Sequence, residues 1–219
     1  MQNKIITVTG RGVKSYKPDQ ITIRLTYEKV LPTYEESLAK ATEYTKIIKI
    51  EAVEAGVEKT KVFTESFDVS PKDEQYKDKN GDYHWRFAGF RATVGFALKI
   101  PMDNKLLSSV LFALRTHEGK FRISYDMVDS TKAKEEAMEA AVEDALHQAK
   151  ILSKAAGESL DSIISINHSY GRIQVEHSYD RGMLFECQSI KTLHSAPEID
   201  VNPDDIDVDD TVSITWSLK

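Results

Sequence analysis

The run 131–157 constrains this chain more than any other stretch. Met138, Ala141, Val142, Ala145, Ala149 and Leu152 recur at steps of three and four, which draws one apolar stripe along a helix. Glu135, Glu139, Glu143, Lys150 and Lys154 fall mainly outside the stripe, where water keeps them. Acidic residues gather toward the start and basic ones toward the end, matching the partial charges of the two helix termini. Gly157 follows Ala155 and Ala156, which suits a left-handed cap. Half of the stripe is alanine, so whatever lies beneath can come close. A flat sheet surface fits that better than a deep side-chain core.

Several strands supply such a surface. Ile21, Ile23, Leu25 and Tyr27 alternate with Thr22, Arg24, Thr26 and Glu28, giving one dry and one wet face. The same alternation runs through Phe90, Ala92, Val94, Phe96, Leu98 and Ile100, and through Phe121, Ile123, Tyr125 and Met127. Residues 61–69 read as extended, with Phe63, Phe67 and Val69 on one side, and Val212, Ile214, Trp216 and Leu218 close the chain. Thr33 and Glu36 have the spacing of a capping box and open a helix that stops at Gly56, with Leu38, Ala41, Ile48, Ala52 and Ala55 inward. Asp103 caps a shorter helix containing Leu106, Leu107, Val110, Leu111 and Leu114. One-sided strands predict an α+β fold: a largely antiparallel sheet with two long helices and one shorter helix packed on one face. The absence of a low-complexity linker predicts one domain over 1–219, with an irregular segment at about 171–210.

Composition narrows the partners. The net charge of −6 over 219 residues argues against nucleic acid or an anionic membrane, because both reward clustered Lys and Arg. The single cysteine, Cys187, excludes an internal disulfide and a zinc site built mainly on thiolates. No apolar stretch approaches the length of a membrane span. The chain as printed passes directly into strand-like sequence, which predicts a cytoplasmic protein, or a periplasmic or exported one if a leader was removed.

Candidate chemistry is sparse, and no catalytic, cofactor-binding or metal residue is assigned. Gly10-Arg11-Gly12 lacks the third glycine of a dinucleotide loop and reads as a bulge or turn. His168, His177, Cys187 and His194 share one region, but their spacings match no standard zinc pattern. Asp200, Asp204, Asp205, Asp207, Asp209 and Asp210 lack the glycine and closing glutamate of a calcium loop, and read as a solvated acidic linker. Cys187, beside Glu186, has no nearby cation to activate it.

The aromatic residues Tyr76, Tyr83, Trp85 and Phe87 flank a charged hairpin loop at 71–82 that ends in Asn80-Gly81. Strict alternation puts Trp85 and Phe87 on the strand face opposite Phe90, Val94 and Phe96. If that face is uncovered, Tyr83, Trp85 and Phe87 form an apolar patch for a protein partner or another subunit. The alternative is that residues 171–197 fold over it.

Ile6-Thr7-Val8-Thr9-Gly10-Arg11-Gly12 with Pro18-Asp19, TESFDVSP at 64–71, Gly89-Phe90-Arg91-Ala92, the helix 136–160 and the closing TVSITWSL together resemble the SIMPL family, the domain of unknown function 541. That resemblance implies an α+β fold, frequently exported bacterial members, links to stress defence and protein association, and no agreed catalytic residues. The expectation is therefore a non-enzymatic domain that works through association, as a homo-oligomer or with a protein partner. A metal-dependent hydrolase, or a small-ligand binder using the 167–194 histidine region, is the alternative.

Overall fold

The computed structural model describes residues 4–115, 117–168, 174–176, 184–186 and 201–219. The elements run β1 (Ile5–Tyr16), β2 (Gln20–Leu31), α1 (Tyr34–Glu54), β3 (Val62–Lys77), β4 (Tyr83–Pro101), α2 (Asn104–Leu114), β5 (Lys120–Asp126), α3 (Thr131–Ala155), β6 (Leu160–Asn167), β7 (Gln174–Glu176), β8 (Leu184–Glu186) and β9 (Ile206–Leu218). The α+β class, the antiparallel pairing and the two long and one shorter helices agree with the sequence. The strands build two sheets where the sequence reading drew one. They belong to two compact units, the first made of Met1–Pro18, Met127–Tyr179 and Pro203–Lys219, the second of Asp19–Asp126 and Asp180–Asn202.

In the first unit β9 is central. It pairs antiparallel with β1 from Ile5↔Ser217 to Tyr16↔Ile206, and on its other side with β6 and β7. Inward positions Val208, Val212, Ile214 and Trp216 of β9 meet α3. The buried face of α3 is Ala133, Ala137, Ala141, Ala145, Ala149 and Ser153, a strict step of four. Val142 and Leu152, assigned to the stripe from sequence, are 37% and 51% exposed. The contact is narrower than the periodicity implied because it is made backbone to backbone. A Cβ on Gly10 would overlap the carbonyl oxygen of Ala141, and one on Gly12 that of Ala137. These glycines are therefore not the break or turn expected from sequence. β1 runs straight through them, and they clear the space that lets α3 settle on it.

Two polar ties fix the same seam. The backbone N–H of Arg11 donates to the Asp144 carboxylate at 2.9 Å. The Tyr16 hydroxyl donates to the Glu136 carboxylate. That bond, followed by desolvation and the Glu136 charge, pushes Tyr16 up to about 12, and Glu136 is held below the usual carboxylate range chiefly by the same bond. The helix ends as its sequence demanded. Gly157 sits at φ +78°, Glu158 N–H reaches Ser153 O at 2.9 Å and Gly157 N–H reaches Lys154 O at 3.1 Å, a Schellman closure.

The second unit holds a five-stranded sheet in the order β3-β4-β2-β5-β8. Ile21, Ile23, Leu25 and Tyr27 of β2 join Ala92, Val94, Phe96 and Leu98 of β4 and Phe121 and Ile123 of β5 in one core. α1 contributes Ala41, Tyr44, Ile48 and Ala52, and α2 contributes Leu107, Val110, Leu111 and Leu114. Each fully buried aliphatic side chain there is worth about 1.5–3 kcal/mol of transfer free energy. Thr33 Oγ1 accepts from Glu36 N at 3.2 Å, and Asp103 Oδ1 accepts from Lys105 N and Leu106 N at 2.8 and 3.1 Å, so both expected caps form. One facing was misread. A register shift between Thr64 and Ser66 inserts Glu65, so Phe63 lies opposite Ala97 on the outer face, away from Phe67 and Val69.

Two outcomes follow for the first unit. Gly12→Ala should lower unfolding stability by about 3 kcal/mol, because the new methyl displaces helix backbone rather than a movable side chain, while Val142→Ala stays within about 0.5 kcal/mol; urea denaturation checks both. The Tyr16 pKa is raised by folding, so its contribution is complete below the ordinary phenol value and is lost as pH rises through about 12. Glu136 is shifted the other way, so its contribution is present at neutral pH and is lost as pH falls through its depressed folded value. In Tyr16→Phe, the Glu136 carboxyl titration followed by NMR should move upward.

Candidate functional site

The sequence pointed to the aromatics beside the charged loop, and the structure gives them an unusual support. β2 follows β4 only as far as Leu31↔Phe90. Beyond that pair, β4 from Tyr83 to Gly89 has β3 alone as a strand neighbour among the described residues. Residues 72–77 and 83–87 therefore form a two-stranded arm running past the body of the sheet. Asp78 ties its tip: its carboxylate accepts from Asn80 N at 2.8 Å and Asp82 N at 3.0 Å, with His84 Nε2 at 3.0 Å. The Asp82 N–H foremost, then those of Asn80 and the His84 ring, hold Asp78 below its ordinary value. Gly81 turns at φ +95°, fulfilling the Asn-Gly signal.

The facing of the aromatics is corrected. Lys72 pairs with Gly89 but Asp73 pairs with Phe87, so Ala88 is an extra residue in a β-bulge. Gly89 accommodates it at φ +130°, where a Cβ would overlap Leu31 O. The bulge reverses the alternation. Phe87 comes onto the same side as Phe90 and packs edge-on against it at 5.4 Å, and Phe90 meets Tyr34 of α1 at 5.8 Å. Trp85 and Tyr83 continue along that side, opposite Gln75 and Lys77. The three residues thus extend the helix-bearing face of the sheet into the arm, and do not lie on its reverse.

They are open to water there: Tyr83 is 65%, Trp85 69% and Phe87 55% exposed. The cover proposed for them, 171–197, lies almost wholly outside the described residues. The opposite side of the arm is polar. Arg86 Nε donates to Glu74 Oε1 at 2.6 Å and its guanidinium lies 5.4 Å from the Tyr76 ring, which also meets His84 at 5.7 Å. The side opposite Tyr83, Trp85 and Phe87 thus carries Glu74, Tyr76, His84 and Arg86, while Asp73, Gln75 and Lys77 share the side of the three aromatics.

His177, Cys187, His194 and Asp200 lie outside the described residues. His168 Nε2 stands 2.8 and 3.0 Å from the two oxygens of buried Asp210 and links the end of β6 to β9. The acidic run is not a linker from 206 onward. Asp207 accepts from Ser15 Oγ at 2.6 Å and Asp209 from Arg11 Nη2 at 2.7 Å, so partners on β1 hold these charges within a strand. Its Ile206, Val208 and Asp210 alternation was readable, but the aspartates obscured it. Among the described residues no three His, Cys, Asp or Glu side chains gather as metal ligands. An open hollow of about 520 Å³ beside the end of α3 is lined by Leu146, Lys150, Ile163 and Trp216. No helix of the described residues is long and apolar enough to cross a membrane.

The chain is an α+β protein of two antiparallel sheets with a glycine strand under an alanine helix. It belongs to the SIMPL family, described as protein of unknown function (DUF541), which matches residues 6–216. No curated protein matches it. Among solved structures, the regulatory subunit of aspartate kinase from Thermus flavus is similar at 12% identity over 96% of this chain and 89% of that one, with a TM-score of 0.16, too low to bear on fold or function.

Deleting Ala88 should remove the bulge and leave Phe87 two positions from Phe90, where plain alternation keeps both rings on one side. The ring-to-ring nuclear Overhauser contacts between these two residues should persist in the deletion variant, and their loss would refute the bulge account.

Proposed function

We propose that this SIMPL domain acts through protein association and not through catalysis, with Tyr83, Trp85 and Phe87 as its contact surface. The observation carrying this reading is the exposure of all three on one side of an arm that the rest of the sheet does not support. Exposed aromatics clustered in this way are what interface anchors look like before the partner arrives. A bare two-stranded ribbon is marginal in water, so a partner would also stabilise it. The family resemblance alone suggests a bacterial setting in stress defence.

His168 against Asp210 is the one observation favouring the second reading, a hydrolase or metal enzyme, since a buried carboxylate can orient an imidazole. Stoichiometric zinc or manganese in purified protein would promote that reading.

Association is tested by mass in solution over a wide concentration range, together with partner capture. Trp85→Ala should raise the dissociation constant by about thirtyfold, the loss of a hot spot of about 2 kcal/mol, with unfolding stability changed by less than about 0.5 kcal/mol. A strict monomer that captures no protein would sink the proposal. Severe unfolding of Trp85→Ala would return that residue to the core.

A further inference from the structure

We propose that the partner is a second copy of this chain, joined antiparallel through residues 72–77 of β3 in a single register centred on Gln75. This rests on the association reading above and names its occupant.

β3 is the edge of the five-stranded sheet, and among the described residues no strand pairs with its outer side. An edge of that length presents a row of open N–H and C=O groups to another strand. Pro71 has no N–H to offer and limits pairing at one end, while the turn at Asp78 limits it at the other. Between them lies the sequence Lys72-Asp73-Glu74-Gln75-Tyr76-Lys77.

Charges on an edge strand usually keep strangers away. This set is complementary to itself in one alignment. With Gln75 opposite Gln75 of the second copy, Asp73 faces Lys77 twice and Glu74 faces Tyr76 twice. Two-fold symmetry moves the centre one residue at a time. Centring on Glu74 sets Glu74 against Glu74, centring on Asp73 or Lys77 sets like charges together, and centring on Tyr76 leaves only Gln75 to Lys77 paired within the stretch. The backbone ladder supplies the attraction and the charges supply the choice of partner and register, since exposed ion pairs add little energy but like charges face to face are penalised.

The aromatic surface fits the same arrangement. Asp73, Gln75 and Lys77 stand opposite Phe87, Trp85 and Tyr83, so all six share one side of the arm. Pairing would set two such sides edge to edge, with the Gln75 pair flanked by a Trp85 from each copy. Lys77 Nζ lies 5.4 Å from the ring of Tyr83, its neighbour on β4, and Asp73 of the second copy would approach Lys77 from the outer edge of β3. Six residues of edge pairing fall short of the roughly 800 Å² per partner of a standard interface, so the dimer is weak and depends on concentration.

The test uses the full chain in analytical ultracentrifugation. Asp73→Lys and Lys77→Asp should each raise the dissociation constant by at least about tenfold, because each sets two pairs of like charges face to face. The double variant D73K/K77D should return to within about threefold of the parent, since the pairs are reversed and restored. Mixing the two single variants should give a heterodimer tighter than either alone. A parent dimer weakened by Trp85→Ala yet indifferent to the charge reversals would overturn the β3 register and leave association standing, as would failure of the double variant or the mixture to recover. A monomeric parent that still captures another protein overturns the self-pairing alone. A monomer that captures nothing overturns both.

Discussion

The closeness of α3 to β1 governs the first unit. A helix normally rests on a sheet through a layer of side chains. Here Gly10 and Gly12 remove that layer from the strand, and Ala137, Ala141 and Ala145 reduce it on the helix to single methyl groups. Dispersion falls steeply with separation, so this seam is strong where it fits and intolerant where anything is added. The other contacts of the unit depend on it. Asp144 reaches a backbone N–H of β1 because the two elements nearly touch, and Val208, Val212, Ile214 and Trp216 close over the remainder of the alanine face.

Local physics was easy to read in this sequence. Thr33, Asp103 and Gly157 announced their helix ends, because capping depends on a handful of adjacent residues. The buried faces of β2 and β5 followed from alternation alone. Facing failed wherever a single residue was inserted. Glu65 and Ala88 each reverse the alternation beyond them, and nothing in a period of two signals a bulge in advance. Gly89 is the one local clue, since a glycine inside a strand can mark a bulge.

Gly10 and Gly12 were misjudged for a related reason. Glycine in a strand signals either a bend or a near neighbour, and only the position of a helix more than a hundred residues later distinguishes them. The acidic run failed through its charge. Asp207 and Asp209 look unsuited to a strand until Ser15 and Arg11 appear across the ladder, and Asp210 unsuited to a core until His168 does. The aromatic arm was legible as a composition but not as a surface, since its open side is set by where β2 stops.

The pairing of β1 with β9 joins the opening and closing strands of the chain, with Ile5 beside Ser217. Between them lie about two hundred residues, among them the whole Asp19–Asp126 segment of the second unit. During synthesis that segment leaves the ribosome with its helices and four of its strands already in hand, whereas β1, though α3 precedes β9, gains its ladder only when β9 follows. Translation therefore imposes an order of events: the later-encoded β9 completes what the first strand began. Until it emerges, the backbone N–H and C=O groups of β1 that β9 will take up stay open.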